Sequence, residues 1–175
     1  MFKRHPYLLQ CLILIVLAVC ASYFTNKLHL ERRFTIINFF VLLSGFIFPI
    51  NYAVGCGLII PVICSVLYQA PEVYPQLLLT LCLMTAYTSF ANIFYFSAKW
   101  NIYKALIASL IMGELVLFST ASILSWITDG FSAISYMIQS FIETLPGFVL
   151  QIAIIPLILK IYEYFHNKTK IMLPD

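Results

Sequence analysis

A single acid stands in the middle of an apolar run. Glu114 lies near the centre of residues 104–129, KALIASLIMGELVLFSTASILSWITD. The run is long enough to cross a bilayer, which takes about 20 mainly apolar residues. A carboxyl at the centre of such a helix costs about 3 kcal/mol on insertion scales, so the helix turns it toward a bundle interior or a wet cavity. There it can act in either of two ways. As a carboxylate it accepts hydrogen bonds and attracts a cation; protonated, it bonds to a neighbouring helix and holds the two together.

Other polar side chains recur at spacings that let them join it. Tyr74, Gln76, Thr80 and Tyr87 lie along one apolar segment, and Gln76, Thr80 and Tyr87 trace a mildly polar stripe at helical spacing. In a bilayer such a stripe faces protein or water rather than lipid. At helical rise Glu114 is about 18 Å below Trp126, and Tyr87 about 20 Å below Tyr74. The two can therefore meet across neighbouring helices, with the tyrosine hydroxyl bonding the acid. Gln151 lies higher on a third helix. Tyr74, Gln76, Thr80, Tyr87, Glu114 and Gln151 are thus the candidate lining of an outward-facing ligand cavity. A ligand with a protonated amine or several N–H donors suits a carboxylate there.

Catalytic chemistry has no comparable set of residues. There is no HExxH, no Gly-x-Ser-x-Gly and no nucleotide loop, and the histidines at 5, 29 and 166 are far apart along the chain. The cysteines at 11, 20, 56, 64 and 82 lack CxxC or zinc-site spacing and read as small apolar side chains. No cofactor and no metal are expected.

The elements that must position these residues follow from composition. Of 175 residues, 62% are hydrophobic and only 10% charged, with a mean hydropathy of +0.97. Soluble domains carry about 25% charged residues, so the chain is read as an all-α integral membrane protein and the net charge of +3 as topology rather than nucleic-acid binding. Apolar run lengths predict six transmembrane helices over about 7–24, 34–48, 52–68, 74–96, 104–127 and 145–164, in one domain. The first run is read as a retained helix rather than a signal peptide. The charge-free stretch 34–71 is nearly twice a bilayer's thickness, so it must fold back, at Phe48-Pro49-Ile50-Asn51. Residues 131–143 are amphipathic and predict a separate interfacial helix. Thr144 is then the N-cap of the last helix, with Pro146 in its first turn. With both termini cytoplasmic, the inner segments carry seven Lys and Arg (Lys3, Arg4, Lys99, Lys104, Lys160, Lys168, Lys170) against three outside (Lys27, Arg32, Arg33). Ala18 and Ser22 form a small-xxx-small pair that lets another helix approach closely.

One set of motifs resembles a known family. A glycine-bearing third helix with Gly55, Gly57 and Pro61 precedes Ser65, Pro71, Tyr74 and Pro75. A basic turn with Asn101, Ile102 and Tyr103 follows, then Leu145-Pro146-Gly147 and Gln151 in the last helix. Over about 34–160 this resembles the substrate-binding S components of energy-coupling factor (ECF) transporters, small six-helix proteins that capture vitamins and related micronutrients. The resemblance implies a bacterial cell-membrane protein that binds its ligand near the outer face. It also implies partners: a transmembrane coupling subunit driven by two cytoplasmic ATPases. In that family the first helix meets the coupling subunit through an Ala-rich surface, here matched only by Ala18 and Ser22. The family often has an acid in helix 4, where this chain has Leu83 and Met84; Glu114 is the alternative anchor. The other reading is a structural membrane subunit, such as a rod-shape-determining MreD-like protein, which needs packed helices and an exposed face but no ligand cavity.

Overall fold

The computed structural model describes residues 6–27, 36–68, 73–128 and 132–172. Lys3, Arg4, residues 28–35, Pro71 and residue 131, which entered the charge count, the helix ranges and the motifs above, lie outside the described residues.

Six helices form one all-α membrane bundle. They are α1 (Pro6–Lys27), α2 (Ile36–Ile47), α3 (Ile50–Tyr68), α4 (Leu78–Asn92), α5 (Ile102–Ile127) and α6 (Ala133–Met172). α4 continues at its end into a π-helical turn, Ile93–Ser97, and is preceded by Val73–Leu77, which is kinked at Tyr74. Tyr74, which precedes Pro75, is extended (φ −140°, ψ 134°), because the proline ring crowds a helical residue before it. Five of the helical segments are long and apolar enough to span a membrane, and α2 is a shorter apolar sixth. The fold-back falls at Pro49, where α2 stops and α3 starts. Leu8, Leu9, Leu12, Ile13, Val16 and Leu17 of α1 point outward, as a lipid-facing helix requires.

The last part of the chain departs from expectation. The predicted interfacial helix at 131–143 and the predicted helix at 145–164 are one continuous helix of 40 residues. Thr144 does not cap it. Its hydroxyl donates back to the Ser140 and Phe141 carbonyls at 2.8 and 3.3 Å, a mid-helix arrangement. Pro146 and Pro156 lie inside the helix. Each leaves one carbonyl without its N–H partner, which bundle neighbours and side-chain hydroxyls make tolerable in a membrane.

α4 sits at the middle, packed against α2, α3 and α5, with α1 and α6 outside. Glycines make this possible. A Cβ on Gly45 of α2 would meet the Thr88 carbonyl at 2.9 Å and Ala91 Cβ at 3.0 Å. One on Gly57 of α3 would meet the Met84 carbonyl and Thr88 Oγ1, both at 3.2 Å, and one on Gly113 of α5 would run into the Tyr87 ring. Three helices thus bring bare backbone against the same two turns of α4. Asn92 fastens the lower end: its amide donates to the Gly45 and Phe48 carbonyls at 3.0 and 2.8 Å, closing the end of α2.

Candidate functional site

A group of polar side chains gathers at one end of the bundle. The end of α1, the start of α2, the end of α3, the start of α4, the upper half of α5 and the first turns of α6 surround a partly open cavity of about 210 Å³. This is the end at which the α1–α2, α3–α4 and α5–α6 connections lie, opposite the termini. Ser22, Thr25, Asn26, Asn38, Tyr68, Thr80, Tyr136, Ser140, Glu143 and Thr144 line it, with Cys64, Leu83, Met84 and Leu117 among the apolar remainder. Polar groups on five converging helices are costly in a bilayer unless they face one another or a solute.

The hydrogen bonds show what the cavity offers. Ser22 Oγ donates to the Ala18 carbonyl at 2.8 Å, Thr25 to Ala21 and Ser22, and Thr80 to the Gln76 carbonyl at 2.8 Å. These hydroxyls spend their protons on their own helices and leave oxygen lone pairs to accept. Glu143 is the one acid on the wall, with Oε1 held by Gln139 Nε2 at 3.1 Å, and no Lys, Arg or His faces it among the described lining residues. Asn38 is 3% exposed and lines the cavity. The wall is therefore acceptor-rich, with one carboxyl and the amides of Asn26 and Asn38, and matches a small solute bearing N–H or ammonium donors.

The six substrate-binding candidates do not converge on this cavity. Thr80 lines it. Tyr87 is wholly buried, and its hydroxyl donates to Glu114 Oε1 at 2.7 Å. This bond lies below the cavity, since Leu117 on the wall is one turn above Glu114. Glu114 instead borders an apolar groove between α5 and α6. Gln151 is 1% exposed and borders a second groove between α1, α2 and α6, with both side-chain polar atoms unpaired. Gln76 is exposed. Tyr74 is exposed as well, and its hydroxyl bonds Thr128 Oγ1 at 2.7 Å, linking the top of α4 to the end of α5. The expected single pocket over Tyr74, Gln76, Thr80, Glu114 and Gln151 is thus replaced by a cavity and two lateral grooves. The partner-facing reading of Ala18 and Ser22 changes as well. Both are buried, at 0% and 6% exposure, so the close approach they permit is to helices of the same chain.

Reading single residues missed Asn38, Tyr136, Ser140 and Glu143. A signal was present for the last three. Tyr136, Ser140 and Glu143 or Thr144 recur at helical spacing, but the stripe was assigned to a membrane-surface helix. Asn38 is the sole amide in the first half of the charge-free run 34–48. The chain matches no protein-family model, no curated protein and no solved structure in comparison with them.

Proposed function

We propose that this multi-pass membrane protein is the ligand-binding subunit of a multi-component importer, similar in role to an S component of an energy-coupling factor transporter. The cavity beneath the loop-bearing end takes up a small solute with amine or N–H donors, of vitamin size or below. The seven-to-three distribution of Lys and Arg supports that end facing outward, with the termini in the cytoplasm of a bacterial cell. The chain has no phosphate-binding loop, so transport against a gradient needs a coupling subunit and ATPases from elsewhere.

The observation that carries this reading is the buried Asn38 amide and the Glu143 carboxyl on the wall of one cavity. A bundle that serves only as packing gains nothing from such a wall in lipid. The volume of about 210 Å³ falls below the ~300 Å³ at which ordinary ligand pockets begin, which points to a small solute.

Native mass spectrometry of the detergent-purified chain tests the proposal. A small molecule should be retained by the unaltered chain and lost from Asn38→Leu and Glu143→Leu, with both variants still unfolding cooperatively. The proposal fails if no such mass is retained and no vitamin or small amine raises the melting temperature.

A further inference from the structure

The acid and the cavity are separate features, and the acid has its own surroundings. Glu114 Oε1 is taken by Tyr87, whereas Oε2 is buried and has no hydrogen-bond partner. The groove that Glu114 borders is otherwise apolar, with Ile107, Ile111, Leu115 and Phe118 on α5 facing Phe141 and Ile152 on α6. It is not a pit. The α5 residues follow one another at i, i+4, i+8 and i+11, so the groove runs about 16 Å along the helix axes at 1.5 Å per residue. Those four side chains are 45–57% exposed. A channel between two antiparallel helices, lined by two helical stripes, has the shape into which a third helix packs. Acyl chains fill such a channel equally well by shape, but they carry no donor for Oε2.

We propose that the α5–α6 groove is the docking seam for one transmembrane helix of another protein, and that this helix presents a single ammonium or N–H donor to Glu114 at mid-membrane. Apolar packing alone gives little preference over lipid, because lipid tails are as apolar as leucine. The donor supplies that preference: a charge-assisted bond to a carboxyl shielded from water discriminates against every helix that lacks it. Tyr87 serves as the positioning residue, fixing one oxygen of the carboxyl that borders the seam. The inference is independent of what the cavity holds.

The test uses two synthetic Leu/Ala transmembrane helices, identical except for a central Lys or Leu. Each is labelled for energy transfer to the full-length protein in phosphatidylcholine vesicles. The Lys helix should associate at least about tenfold more tightly than its Leu twin. Glu114→Leu should remove that difference. So should Leu115→Trp, which fills the groove without touching the Tyr87–Glu114 bond. A photo-crosslinking residue at position 115 should capture the Lys helix. Cooperative unfolding of each variant establishes that the loss is not misfolding. Equal association of the two helices would overturn the proposal. So would crosslinking of position 115 to a second copy of this chain, or Glu114-dependent binding of dodecylamine that the Lys helix does not displace.

Discussion

Tyr87 and Glu114 are joined across α4 and α5 by a 2.7 Å hydrogen bond, and the tyrosine ring lies over Gly113, the residue immediately before the acid. The two neighbouring residues of α5 therefore hold one side chain of α4, the glycine by giving it room and the acid by accepting its proton. This places a polar contact inside the most closely packed seam of the bundle.

Tyr87→Phe should lower stability by about 1–3 kcal/mol, because it strands both oxygens of a buried carboxyl. Glu114→Gln should cost less, since an amide oxygen still accepts from the phenol. The double change Tyr87→Phe with Glu114→Leu should recover part of the loss, as removal of both polar partners leaves nothing unsatisfied. Denaturant titration in mixed micelles measures all three.

Two glycines should respond in opposite ways. Gly113→Ala forces a methyl into the Tyr87 ring and should destabilise by about 1–3 kcal/mol, as overpacking does. A Cβ on Gly55 meets nothing within 4 Å, so Gly55→Ala should be neutral or stabilising by up to about 1 kcal/mol through helix propensity. Melting temperatures of the pair decide, and equal losses would contradict the packing described.

Asn92→Leu should loosen the fold-back between α2 and α3. It removes the donors held by the Gly45 and Phe48 carbonyls at a helix end, at a cost of about 1–3 kcal/mol. Hydrogen exchange should rise first in residues 44–53, before the rest of the bundle opens.

Glu143→Gln should weaken binding of an amine-bearing ligand by about tenfold or more, because it replaces a charge-assisted bond by a neutral one. The same change should leave a neutral ligand nearly unaffected. Calorimetry with whichever molecule co-purifies distinguishes the two.

The bundle was legible in the sequence because a bilayer leaves few choices: charge-free runs of set length become helices, and a run of twice that length must turn back. The approach of Tyr87 to Glu114 was legible as well, from depth arithmetic along two helices. What the sequence hid has physical causes. Thr144 and Pro146 carry the signals of a helix start, yet inside a membrane bundle the same residues are accommodated mid-helix, so α6 runs on unbroken. The cavity is a meeting of six helix ends. No single helix reveals it, because Asn38 looks like an isolated amide until Thr80, Ser140 and Glu143 are set around it. Gln151 satisfied the expectation of a buried amide but not the expected place, since rotation of α6 turns it toward α1 and α2.

The unbroken course of α6 makes it a lever. Far along it Leu159 is still buried, at 2% exposure, so the bundle grips the helix beyond Pro156. The same rod carries Tyr136, Ser140 and Glu143 on the cavity wall. Without a loop to absorb the displacement, tilting the Leu159 end moves the acid at the other end, and Pro146 and Pro156 are the two places where the rod can flex.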